Sequence, residues 1–357
     1  MNWRTILCGV LVSSVVLSSC DKEEDDPQQQ DFDKGALLVN LSGNIILPSL
    51  NQFSSALNAL NDEVAQLSQN TTAQDLQNVR DSWKSAYLTW QTVKIFDFGP
   101  IRDNAFKGAT ATYPVDTSDI DANISSGSYT LGTAANADAI GLPSLDYLLY
   151  RASALDSIQS NPTCRSYIQD VVEKMVNETN TVISGWGTYE STFNASTGTS
   201  STSGFSLFIN EFNRDYELAK NAKVGIPLGK QSLDIQMPEF IEARYSGTSF
   251  ELLKESIVAL QKVYNGNSFE GNTAGTGCDD YLLHVERSAL DNTIDGNFTN
   301  IINKVDGFST SYEVAMETNT TECNELYLML QQQTVNIKTD MTSAFGVLIT
   351  YQDNDGD

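Results

Sequence analysis

Apolar residues recur at three- and four-residue intervals through almost the whole chain, and that period restricts the chain to helices. Leu76, Val79, Trp83, Tyr87, Trp90 and Val93 fall on one stripe, the spacing that aligns one face of a 3.6-residue turn. Its aromatic residues read as core. A second stripe runs from Leu37, Leu38, Leu41 and Ile45 to Leu50, Phe53, Leu57, Leu60, Val64 and Leu67. It slips near Pro48, which either starts a new helix or kinks the first. Thr72 followed by Asp75 predicts a capped helix start, and Asn161-Pro162 opens another helix. The period continues over 205–222 and then at roughly 249–265, 277–293, 297–317 and 321–350. Nothing alternates as a half-buried strand would. The expected fold class is therefore all-α, built from antiparallel helices; length suggests about two domains, placed at 32–224 and 225–350.

The period fails in three places. Residues 97–135 carry Asp97, Gly99, Pro100, Gly108, Pro114, Gly127 and Gly132, and read as a long loop. A loop of that length in a compact domain is usually functional or specially packed. Residues 194–204 are rich in Ser, Thr and Gly, and 223–248 are irregular around Gly225-Ile226-Pro227-Leu228-Gly229. The long irregular segments are expected near the domain interface. A short echo, Asp146-Tyr147-Leu148-Leu149-Tyr150 against Asp280-Tyr281-Leu282-Leu283-His284, hints at two related bundles.

The first residues direct export. Arg4 precedes a short apolar stretch over 6–17, too short for the roughly 20 residues that span a bilayer. A charged start, an apolar centre and small residues before a cut site make a signal peptide, here 1–19. Leu17-Ser18-Ser19-Cys20 resembles the bacterial lipobox, so Cys20 is expected to become the acylated N-terminus, anchored through its acyl chains. Residues 20–31, charged and almost free of apolar side chains, form an expected disordered tether. Their acidic run resembles the surface-export signal of Bacteroidetes lipoproteins. The expected location is the outer membrane, surface-exposed, with the membrane as one partner through the anchor.

Formal net charge is −25, and loss of Arg4 on cleavage makes the mature chain one unit more negative. Such a chain repels nucleic acid, which is excluded as a partner. Beyond Cys8 and Cys20 the cysteines are Cys164, Cys278 and Cys323; in an oxidising compartment one disulfide plus one free thiol is the simplest expectation. The only histidine is His284, so a His-rich catalytic metal centre within one chain is excluded. An oxygen-ligand site for a divalent cation, or iron, stays open. The tail over 351–357 starts like a calcium loop but lacks its distal Glu, and reads as a frayed acidic terminus.

Several segments, in order across nearly the whole mature chain, resemble the imelysin family, whose members are described as metallopeptidases or as iron-regulated or insulin-cleaving lipoproteins. They are Trp83 through Trp90, Asp97-Phe98-Gly99-Pro100-Ile101, Tyr113-Pro114-Val115-Asp116, Gly141-Leu142-Pro143-Ser144-Leu145-Asp146, Asn221-Ala222-Lys223-Val224-Gly225-Ile226-Pro227-Leu228-Gly229, and Asp279-Asp280-Tyr281-Leu282. The resemblance implies two helical domains with a pocket between them, lined by the family signature G-x-H-x-x-E. Here that signature keeps Gly141 but has Pro143 at the His position and Asp146 at the Glu position. Proline offers no ligand atom, and Asp146 alone cannot hold and activate a metal-bound water. Pro143 instead suits the first turn of a helix.

The expected pocket residues are Asp146, the loop residues Asp97, Arg102, Asp103 and Asp116, and Lys220, Asn221 and Lys223. Lys220 or Lys223 is expected to meet a pocket carboxylate such as Asp146. The expected function is an envelope lipoprotein that binds a ligand or partner without catalysis, with a link to iron uptake implied by the resemblance alone. The alternatives are a divergent metallopeptidase with a carboxylate metal site and a structural or adhesion protein.

Overall fold

The computed structural model describes residues 31–351 except residue 272. The signal peptide, Cys20, nearly all of the tether and the tail from residue 352 lie outside the described residues. The described residues begin with α1 (Lys34–Asn40), pass through a wide π turn (Leu41–Ile46) and continue as α2 (Leu47–Val64). Pro48 stands in the first turn of α2. It has no N–H to give, so the register shifts ahead of it and the chain does not break. Next comes α3 (Ala73–Val93), which starts on a capping box in which Thr72 and Asp75 bond each other's main-chain N–H. Such a box satisfies donors that a helix start otherwise leaves unpaired.

Residues 97–135 are not one loop. They hold α4 (Pro100–Asp103), α5 (Phe106–Ala111) and α6 (Thr117–Ser126). Helices this short offer too few apolar positions to show a period. Then follow α7 (Gly141–Tyr150), α8 (Ala154–Ser160), the 33-residue α9 (Pro162–Asn194), capped by Asn161, and α10 (Gly204–Leu218). A second π turn (Ala219–Gly225) extends α10.

The later elements are α11 (Ser249–Tyr264), α12 (Cys278–His284), α13 (Ser288–Asp306), α14 (Tyr312–Thr318) and α15 (Thr320–Thr334), then a third π turn (Val335–Met341) and α16 (Thr342–Phe345). The expected helix over 277–293 is broken before Ser288, where Glu286 takes a left-handed φ of 60°. That over 297–317 is broken after Gly307. The described residues contain no strand, only one isolated bridge between Asn267 and Ala274.

Helix α3 is the spine. It packs on α2 with one face and on α11 with another, while α2 also lies along α9. Phe53, Trp90 and Phe106 meet between them, with ring centroids 5.3 Å (Phe53 to Trp90) and 5.4 Å (Trp90 to Phe106) apart. The expected boundary at 224/225 falls inside the second π turn, and elements from both sides of it touch, that turn against α11 and α15. From Asp33 onward the described residues cluster as one compact unit. The expected disulfide is absent: Cys164, Cys278 and Cys323 are all free thiols, each buried in its own helix. No helix among the described residues is long and apolar enough to cross a membrane.

Candidate ligand site

The signature segment is built around one glycine. Gly141 opens α7 with φ +81°, and a Cβ there would lie 2.3 Å from the Thr110 carbonyl oxygen. Only glycine brings α5 and α7 that close. Pro143 sits in the first turn of α7, where its missing N–H costs no hydrogen bond. The Trp83 indole N–H donates to the Leu142 carbonyl at 2.9 Å and pins this start to α3.

Asp146, one and a half turns on, is 2% exposed. Its two oxygens accept the main-chain N–H groups of Tyr245, at 2.9 Å, and Ser246, at 3.0 Å. Burial pushes its carboxyl up to about 6, against those hydrogen bonds and with help from the Glu242 charge. The carboxylate thus fixes the turn ahead of α11 to α7. Above it lies a cavity of about 310 Å³ with Tyr113, Pro143, Asp146, Glu239, Arg244 and Tyr245 on its walls.

A second cavity, of about 250 Å³, shares Tyr113 with the first. Lys94 follows the end of α3, Lys107 lies on α5, Asp215 on α10, Lys223 in the second π turn and Glu242 in the segment before α11. Lys94 donates to Asp215 at 2.5 Å, and Lys107 donates to the same carboxylate at 3.2 Å and to the Lys94 carbonyl at 3.2 Å. Lys223 donates to Glu242.

Electrostatics follow from burial. Burial pushes the Lys94 ammonium down to about 8, with Asp215 opposing and Lys223 and Lys107 adding to the fall. Burial also opposes ionisation of Asp215, but Lys94 and Lys107 outweigh it and hold the carboxyl at about 2. Burial raises the Tyr87 and Tyr113 hydroxyls well above the usual tyrosine range, and the charge on Glu242 adds to it for both. Glu242 is therefore the group that links the two cavities electrostatically.

The expected site residues divide. Lys223 lines the second cavity, but its carboxylate partner is Glu242; Asp146 is held by main-chain donors instead. Lys220, buried, and Asn221, half-buried, lie in the same π turn as Lys223. Asp97 and Arg102 belong to an ion-pair chain on α10: Arg102 meets Glu211, and Arg214 reaches both Glu211 and Asp97 at 3.3 Å. Asp103 is exposed. Asp116 accepts the N–H groups of Ser118 and Asp119 and caps α6. Among the described residues, no three His, Cys, Asp or Glu side chains are grouped so as to hold a metal ion. Sequence reading missed Lys94, Lys107, Asp215 and Glu242. Only Lys94 carried a signal, as a lone charge inside the run Val93-Lys94-Ile95-Phe96.

The Imelysin (Peptidase M75) family model matches residues 46–337. The chain belongs to the imelysin family. An iron-regulated protein A precursor, as the solved protein from Parabacteroides distasonis ATCC 8503 is assigned, aligns with a TM-score of 0.74 at 15% identity, over 87% of this chain and 95% of that one. An imelysin-like protein from Psychrobacter arcticus 273-4 aligns with a TM-score of 0.73 at 16% identity, over 89% of this chain and 97% of that one. At such identities the likeness establishes the fold. No curated protein matches the chain. Of the signature positions, Gly141 lies against the main chain of α5 and Asp146 holds the N–H groups of Tyr245 and Ser246.

Proposed function

We propose that this imelysin-family protein is a non-catalytic ligand-binding lipoprotein, tethered by acylated Cys20 to the outer membrane and facing outward. The observation that carries the reading is the commitment of Asp146. Both oxygens of the signature carboxylate accept main-chain N–H groups, and the neighbouring signature position is Pro143. A metal-assisted hydrolase needs several ligands and a base; Pro143 has no ligand atom, and Asp146 is a single carboxylate whose two oxygens each already accept an N–H. Two lined cavities beside it suit binding. A role in iron acquisition is the ligand context favoured by the Parabacteroides relative, which is assigned as iron-regulated.

The deciding experiment is a peptidase assay of the full-length chain, with and without added divalent metal, beside Asp146→Ala. No metal-dependent cleavage is expected from either protein. Cleavage by the native chain that Asp146→Ala abolishes would overturn the reading. Protease treatment of intact cells tests placement: the protein is expected to be digested, and Cys20→Ala to release it from the membrane fraction.

A further inference from the structure

We infer that the cavity between Trp90, Tyr113 and the π turn at Lys223 is a carboxylate site, built for a small monoanionic organic acid with an apolar or aromatic body. This rests on the ligand-binding reading above and names the ligand class.

Charge comes first. The walls hold three ammonium groups, from Lys94, Lys107 and Lys223, and two carboxylates, from Asp215 and Glu242. Lys223 is matched by Glu242, while Lys94 and Lys107 share Asp215. One positive charge is left over, inside a chain whose net charge is −25. Lys107, which shares Asp215 with Lys94, is only half-buried, so the surplus is partly solvated, and an anionic ligand supplies the counter-charge it lacks.

Hydrogen bonding points the same way. An ammonium carries three donors. Lys94 and Lys223 each use one on a carboxylate, and Lys107 uses two, both at 3.2 Å. Lys94 and Lys223 are 5% and 7% exposed, so solvent reaches their remaining donors poorly. Buried donors without acceptors are unfavourable. A ligand carboxylate, with its two oxygens, provides acceptors in the cavity that all three ammonium groups line.

Shape sets the rest of the molecule. Trp90, Ala111, Leu218 and Ala222 give the cavity an apolar wall. At about 250 Å³ it is smaller than the roughly 300–1,000 Å³ that takes drug-sized ligands. Lys107, Ala111, Thr112 and Tyr113 are half-buried and form the mouth. The carboxylate therefore lies among Lys107, Lys94 and Lys223, and the body packs against Trp90 and Tyr113.

The test is titration calorimetry of the full-length chain in detergent at pH 7, with benzoate as probe and benzamide as its neutral isostere. Saturable benzoate binding is expected, with benzamide at least about tenfold weaker. Lys107→Gln should weaken benzoate by about tenfold or more. Lys107→Arg should retain it, as should Lys84→Gln, which removes only an exposed partner of Glu251. Absence of benzoate binding, equal binding of benzamide, or an unchanged Lys107→Gln each overturns the proposal. Should Lys107→Gln fail to fold, the benzoate–benzamide comparison on the native chain decides alone. Failure here with no peptidase activity removes only this ligand class. Cleavage dependent on Asp146 removes the ligand-binding reading itself, whatever benzoate does.

Discussion

The Nζ atom of Lys94 lies 2.5 Å from Oδ2 of Asp215, across 121 positions of sequence, and both side chains are almost wholly out of solvent. The pair joins the end of α3 to α10, and Lys107 on α5 closes the same carboxylate from a third side. Removing Asp215 would leave two neighbouring ammonium groups without a counter-ion. Breaking a buried pair from one side costs about 3–5 kcal/mol. Urea unfolding of Asp215→Asn is expected to show a loss of that size with the slope unchanged. The pH dependence has a definite sign. The native carboxyl sits at about 2, below its ordinary 3.8, so its stabilisation is full above pH ~4 and lost as pH falls through ~2.

Gly141 supplies a purely steric prediction. Its φ of +81° and the Thr110 carbonyl oxygen, 2.3 Å from a built Cβ, leave no room for a side chain. The left-handed conformation alone costs a non-glycine residue roughly 1–2 kcal/mol, and the approach to the main chain of α5 adds to it. Gly141→Ala is expected to lose more than about 2 kcal/mol by chemical denaturation. A variant as stable as the native chain would mean that α5 and α7 separate easily.

Asp146 behaves in the opposite sense to Asp215. Burial lifts its carboxyl from 3.8 to about 6, so the folded state holds the proton more tightly than the unfolded one. Its contribution to stability is greatest below pH ~4 and declines as pH rises to ~6, by about 3 kcal/mol at 1.36 kcal/mol per unit. Above that it is constant. The stability of the native chain minus that of Asp146→Asn, measured between pH 4 and 8, isolates this group. The difference should fall with rising pH and level off near 7; a rising difference contradicts the assignment.

These groups mark what a sequence reader can see and what must wait for the fold. The α3 stripe, the Thr72–Asp75 cap and the Asn161 start of α9 stand where period and capping chemistry place them, because each is set within one turn or one face. Helices α4 to α6 were invisible, since segments of 4 to 10 residues carry no usable period. The breaks at Glu286 and after Gly307 depend on single backbone conformations. Gly141, Pro143, Asp146 and Lys223 were legible through the family signature and the Gly-Pro segment near it. Their partners were not: Asp146 meets Tyr245 and Ser246, and Lys223 meets Glu242. Those contacts exist only because residues 238–248 fold back over α7, which no local rule encodes.

Lys94 links the cavity to pH. Its ammonium is pushed down to about 8 by burial. The charged and titratable groups that line the cavity with it are Asp215 from α10, Lys107 from α5, Lys223 from the π turn, and Glu242 and Tyr113. The Asp215 carboxyl sits far below neutrality and the Tyr113 hydroxyl far above it, so neither changes charge near pH 8, where Lys94 does. Loss of its proton removes the excess positive charge and one donor aimed at the bound carboxylate. Benzoate affinity is therefore expected to be level between pH 6.5 and 7.5 and to fall about tenfold per unit well above pH 8, the limit for binding linked to one proton. Binding should be accompanied by proton uptake at pH 8 to 9, read as a dependence of the calorimetric heat on the buffer's ionisation enthalpy. Affinity independent of pH up to 10 would exclude Lys94 as the ammonium that receives the ligand.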